Sequence, residues 1–233
     1  MKRLLLLSNS TNHGEGYLDH AMPEFLEALG SARRILFVPF ALLDRAAYAA
    51  KFRERMAKEG IEVEEATADL PGRRRIESAE AVFVGGGNTF RLLKTMQDAT
   101  LLGVLRQRVL DGMPYLGASA GINLAQPTIR TTNDMPIVEP RGFDALGLVP
   151  FQINPHYIDP DPSSTHMGET REQRIAEFHE ENATPVVGLR EGGWIRVVDG
   201  CAVLGGRRGA RIFRRGLPPE ERAPADALDD LLG

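Results

Sequence analysis

Cysteine is nearly absent from this chain of 233 residues: the lone Cys201 cannot close an internal disulfide, which excludes a fold stapled by disulfides and fits a reducing, cytoplasmic setting. Long apolar runs are missing too. The four leucines after Met1-Lys2-Arg3 fall short of the roughly 7 or more apolar residues a signal peptide needs, and no stretch is long enough to span a bilayer. Neither sign of charge is in large excess. Lys plus Arg number 28 against 32 for Asp plus Glu, a net of −4 with both signs interspersed, so no broad footprint for nucleic acid or an anionic membrane is present. There is no His-Glu-x-x-His and no pairing of histidines at ligand spacing, so neither a metal nor another cofactor is implied.

What remains is a core-forming composition, 42% hydrophobic, at a length common for one α/β domain, with 216–233 expected as a loosely ordered, charged tail. Short apolar runs at Leu4–Leu7, Ile35–Phe40, Ala81–Val84 and Tyr115–Ala118 read as buried strands. Between them, Tyr17–Leu29, Ala46–Glu59 and Leu101–Leu110 carry helical spacing, with Gly30, Gly60 and Gly112 placed to end each helix. Strand and helix alternate, which predicts a mainly parallel sheet covered by helices on both faces. Further on, the turn-rich stretches Thr131–Pro136 and Asn154–Pro162 read as loops, with a helix at Thr170–Glu181 and a strand at Pro185–Arg190. Asp199-Gly200 between Trp194–Val198 and Cys201–Leu204 predicts a C-terminal β-hairpin.

Gly117-Ala118-Ser119-Ala120-Gly121 matches Gly-x-Ser-x-Gly between a strand and a helix, the setting of a nucleophile elbow; a plain turn with a capping serine is the competing reading. A serine hydroxyl needs a base. Of five histidines, His20 and His179 fall in helical patterns and His13 and His166 in polar loops that are either surface or a mobile lid. His156 follows the apolar run Phe151–Asn154, which Pro155 is expected to end, and is the favoured base. Two acids compete to orient it. Asp134 follows Ser119 too closely for a comfortable helix and return strand, whereas Glu191 ends a strand at the rim where open α/β sheets bind ligands. Val84–Phe90, with Gly85-Gly86-Gly87, ends another strand, so the amides of Gly87 and Ala120 could form an oxyanion hole. Phosphate binding fits less well, because Phe90 breaks the Gly-x-Gly-x-x-Gly spacing and no P-loop Lys-Ser/Thr follows.

Several stretches together resemble one family: Leu5–Thr11, Gly85–Phe90, Ser119-Ala120-Gly121, Thr128–Val138, Gln152–His156 and Gly168–Ile175. Over nearly its whole length the chain is similar to the dipeptidase E family of cytoplasmic aspartyl dipeptidases, serine peptidases with a fold related to class I glutamine amidotransferases. That resemblance implies Ser119 as nucleophile and His156 as base, and leaves both Asp134 and Glu191 a claim to the third position. It implies a small Asp-X dipeptide as the partner, cleaved through an acyl-enzyme. Such a substrate carries an ammonium and a β-carboxylate, for which an acid and a cation are needed. Arg171 is the candidate cation and Asn88 a second polar candidate. A monomer or homodimer is expected. Related hydrolases of other aspartyl amides (cyanophycinase-like, or acting on acylated aminoacyl nucleotides) and an inactive ligand-binding relative are the alternatives. An amidotransferase would need cysteine at position 119.

Overall fold

Leu4 and Leu6 of β1 (Arg3–Leu7) enter one core while Leu5 and Leu7 enter another, the period-two pattern of a strand buried on both faces. The same split runs through β2 (Arg34–Val38), β4 (Val82–Val84) and β5 (Tyr115–Ala118), with Leu36, Val38, Val82, Val84 and Tyr115 on one side and Ile35, Phe37, Phe83, Leu116 and Ala118 on the other. The computed structural model, which describes residues 2–163, 165 and 167–233, joins these strands to β3 (Glu62–Glu65), β8 (Gly193–Val198) and β9 (Cys201–Gly206). The result is a seven-stranded sheet in the order β3-β2-β4-β5-β1-β8-β9. Strands β3, β2, β4, β5 and β1 are parallel, and β8 and β9 extend them antiparallel.

Helices cover both faces. On one, α1 (Met22–Leu29) and α2 (Arg45–Ala57) deliver Phe25 and Phe52 against Phe37 and Phe83; Phe37 and Phe52 stack with centroids 4.5 Å apart. On the other lie α3 (Leu70–Ser78), α4 (Thr89–Asp98), α5 (Leu102–Leu110) and α6 (Ala120–Ala125), with Ile76, Leu92, Met96, Leu105 and Ile122 in the core. A second sheet of four strands shares that core. It comprises β6 (Gln152–Tyr157), β7 (Val186–Arg190), β10 (Ala210–Phe213) and β11 (Glu220–Arg222), in the order β11-β10-β7-β6, with β6 and β7 parallel. Its outer side is covered by α7 (Arg171–Glu181), whose Ile175 packs with Tyr157, Val186 and Phe213. Residues Glu191 and Gly192 carry the chain from the small sheet into the large one.

The expected strands, helices and hairpin are all found, the last with positive φ at both Asp199 (49°) and Gly200 (86°), as a two-residue type I′ turn requires. Several boundaries differ. The helix expected at Tyr17–Leu29 starts only at Met22, after a 3-10 turn at Asp19–Ala21, because Pro23 is suited to a first turn. Both β3 and α3 went unread: Glu62–Glu65 is a mostly charged edge strand, and Pro71, Gly72 and three arginines disguise α3, which Asp69 caps through Gly72 N–H at 2.8 Å. Pro155 does not end β6. The strand passes through it, which an edge position allows. Finally, 216–233 is not the loose tail expected: β11 pairs with β10, Leu228 and Leu231 are buried, and Asp229 accepts from Ala202 N–H at 2.6 Å.

Candidate active site

Ser119 stands between β5 and α6 with φ 52° and ψ −108°, a strained conformation for a residue with a side chain. It occupies the N-cap position, yet its hydroxyl makes no capping bond, which removes the capping reading. The turn depends on Gly121, where a Cβ would come within 2.2 Å of the Val84 carbonyl oxygen. Tyr115 braces it from below by donating to the Gly121 carbonyl at 2.6 Å.

The hydroxyl faces an imidazole. Ser119 Oγ lies 3.0 Å from His156 Nε2, and His156 Nδ1 lies 2.7 Å from Glu191 Oε1. A carboxylate only accepts, so Nδ1 carries the proton and Nε2 is left to accept from the serine. Glu191, and not Asp134, is the acid on the ring. His156 itself sits at a bulge in β6, between Pro155 and Tyr157, with φ 54°.

Asp134 has other partners. Its Oδ2 accepts from Thr89 N–H at 2.8 Å, Thr89 Oγ1 at 2.6 Å and Thr132 Oγ1 at 3.2 Å, which sets a negative charge at the N-terminus of α4. Asn88 is the N-cap of that helix: its side-chain oxygen accepts from Arg91 N–H at 3.0 Å and its amide donates to the Met135 carbonyl at 2.8 Å. Both ends of Asn88 are therefore engaged within the protein. The loop read at Thr131–Pro136 is a scaffold, since Asn133 donates to the Pro155 carbonyl at 2.7 Å and Asn154 donates to the Thr131 carbonyl at 2.8 Å.

Residues 4–204 match the family model described as Peptidase family S51. The chain belongs to that family. It is 56% identical over 229 residues to "Peptidase E" of Streptomyces coelicolor, covering 98% of this chain and 94% of that one. It is 46% identical over 234 residues to a Drosophila melanogaster protein described as "Probable alpha-aspartyl dipeptidase", covering 99% and 98%. Among solved structures, a peptidase from an acI-B1 actinobacterium shares the fold with a TM-score of 0.73 at 16% identity, over 97% of this chain and 96% of that one.

In this S51 peptidase the glycine loop after β4 lies against the serine: a Cβ on Gly86 would be 3.2 Å from Ser119 Cβ. Gly87 takes φ 132°, and a Cβ there would meet the Ala41 carbonyl at 2.7 Å. Ala120 is the first residue of α6, so its N–H has no intrahelical acceptor. Arg171 opens α7, half-buried, and has no ion-pair partner among the described residues; burial foremost, then Arg174, holds its pKa below the usual value. Neighbouring Glu172 accepts from Tyr157 at 3.2 Å, which puts the first turn of α7 beside the residue after His156.

Other histidines do different work. His179 is buried, with Nε2 3.1 Å from the Thr184 carbonyl. His20 lies in the 3-10 turn, its pKa lowered by burial. His13 lines a cavity of about 240 Å3 beside Glu191, with Asn12, Gly192, Arg207 and Arg208. His166 lies outside the described residues. Among the described residues no group of three or more His, Cys, Asp or Glu is placed to hold a metal ion, and no helix is long and apolar enough to cross a membrane. Thr89 and Thr132, which fix Asp134, were missed from sequence although they lie within the stretches Gly85–Phe90 and Thr128–Val138, because a threonine hydroxyl there carries no signal of its partner.

Proposed function

We propose that this S51 peptidase is a serine dipeptidase that cleaves dipeptides with an N-terminal aspartate. The unbroken chain from Glu191 through His156 to Ser119, with links of 2.7 and 3.0 Å, carries this reading. Ser119 Oγ attacks the scissile carbonyl carbon and passes its proton to His156 Nε2, while Glu191 stabilises the imidazolium through Nδ1. The carbonyl oxygen becomes an oxyanion that the Gly87 and Ala120 amides meet, worth about 3 kcal/mol per donor in comparable sites. The imidazolium then gives its proton to the departing amine, leaving an aspartyl ester on Ser119. Water, deprotonated by the same ring, hydrolyses that ester. No step requires a metal.

Specificity for aspartate is supported by the name of the Drosophila melanogaster relative and by two charges left over from the relay. Arg171, half-buried and unpaired among the described residues, suits a carboxylate that a guanidinium can clamp bidentately. With Glu191 on the ring, Asp134, whose Oδ2 is held by Thr89 and Thr132 while its Oδ1 accepts no bond among the described residues, is the acid assigned to the ammonium. A cytoplasmic setting is supported by the single, exposed, free Cys201. Incubating the enzyme with Asp-Leu, Leu-Leu, Asn-Leu and β-aspartyl-Leu, with and without chelator, tests the whole reading. Cleavage confined to Asp-Leu and indifferent to chelator is expected; equal cleavage of Asp-Leu and Leu-Leu would remove the specificity.

A further inference from the structure

Ser8 and Asn9 stand where β1 leaves the large sheet, in the Leu5–Thr11 stretch to which the relay gives no role. Their exposures are 0% and 2%, so their polar groups need partners within the protein. Ser8 Oγ donates to the Leu189 carbonyl at 2.8 Å and accepts from His156 N–H at 2.9 Å. Ser8 N–H donates to the Gly193 carbonyl at 3.0 Å. Asn9 Oδ1 accepts from Gly192 N–H at 2.7 Å, directly after Glu191. One residue earlier, the Leu7 carbonyl accepts from Ser119 N–H at 3.0 Å. Consecutive residues at one strand end therefore hold the main chain at or next to all three members of the relay.

These bonds meet a specific need. Ser119 and His156 both have positive φ, 52° and 54°, a state that costs a residue with a side chain about 1 kcal/mol or more and persists only where the surroundings enforce it. At a bulge the extra residue also drops out of the ladder. His156 N–H, at the irregularity between Pro155 and Tyr157, finds its acceptor in the Ser8 hydroxyl and not in β7. That same hydroxyl reaches β7 through Leu189, so one oxygen joins β1 of the large sheet to both parallel strands of the small one.

We propose that Ser8 is a positioning residue for catalysis: its hydroxyl fixes the His156 main chain at the bulge and so sets the register in which Nε2 meets Ser119 Oγ. Asn9 does the same for Glu191 through Gly192. This rests on the serine-peptidase reading above. The test compares kcat and KM on Asp-Leu for Ser8→Ala, Ser8→Thr, Ser10→Ala and Ser119→Ala, and follows the downfield proton NMR signal of the Nδ1–H shared with Glu191. Ser8→Ala is expected to lower kcat on the order of 10- to 100-fold, as a small misplacement of a reacting group does. KM should change by less than about twofold, and the downfield signal should shift or vanish. Ser8→Thr, which keeps the hydroxyl, recovers most of kcat even if it melts earlier; Ser10→Ala behaves as wild type. Where Ser8→Ala does not fold, Ser8→Cys replaces it, close in shape though somewhat larger and offering only a weak donor and acceptor, with the same expected losses. Wild-type kcat and an unmoved downfield signal in the folded Ser8 variant, beside an inactive Ser119→Ala, would overturn the proposal. Turnover by Ser119→Ala would instead sink the reading beneath it.

Discussion

The two sheets divide the proposed catalytic groups between them. The large sheet is regular, buried on both faces, and presents Ser119 at the rim of β5. The small sheet is irregular. Its edge strand β6 contains a proline and a bulge and buries the polar Gln152 and Asn154, and from it projects His156. Glu191 lies in the two-residue link between the sheets. A hydroxyl and an imidazole on separate sheets can be aligned only at the junction, so alignment depends on hydrogen bonds that cross it as well as on the packing of either core. The apolar residues that build the sheets and the polar residues that register them are consequently different sets.

The largest expected effect isolates the contribution of the large sheet. Ser119→Ala should lower kcat by about 10^4-fold or more with folding intact, as judged by circular dichroism alongside the assay. Next comes the acid at the junction. Glu191→Gln should reduce kcat by about 10^3- to 10^4-fold through the wrong ring orientation or tautomer. Asp134→Asn, on the large-sheet side at α4, should act mainly on KM, by about 10- to 100-fold for a lost charge-assisted contact. If Asp134→Asn instead cost as much in kcat as Glu191→Gln, the division between relay and ammonium site would be wrong. Asn88→Ala removes an N-cap and should lower stability by about 1 kcal/mol in a denaturant titration while leaving kcat near wild type.

The smallest effect concerns a brace at the junction end of the small sheet, where Arg190 closes β7 one residue before Glu191. Arg190 holds Asp159 in a two-point ion pair at 2.6 and 2.7 Å, and that bond first of all lowers the Asp159 pKa below its ordinary 3.8. A depressed folded pKa gives stability that is present above the ordinary value and is lost as pH falls through the folded one. Melting curves should therefore show wild type losing stability below about pH 4, and Asp159→Asn losing less over the same window. The effect is modest because the carboxylate is half exposed.

Legibility in the sequence followed the same boundary. The large sheet could be read because its strands are apolar runs and its helices carry periodic faces; only β3 and α3, both charged, escaped. The elbow was legible because glycines at 117 and 121 mark close approach. His156 was found through its place near a strand end, although the reason given, that Pro155 stops the strand, was wrong: a bulge at an edge does the work. The choice between Asp134 and Glu191 needed coordinates, since the family motifs contain both and only distance separates an acid on the ring from one on Thr89. Ser8 and Asn9 carry no legible role in the sequence because hydrogen bonds to residues nearly 150 or more positions away leave no periodicity.

Labelling with a serine-directed fluorophosphonate, followed by peptide mass mapping, tests the central claim most directly. The relay between the sheets should direct the adduct to Ser119, and Glu191→Gln should slow its formation. An enzyme that cleaves Asp-Leu while Ser119 stays unlabelled, or that labels at full rate without the Glu191 carboxylate, would contradict it.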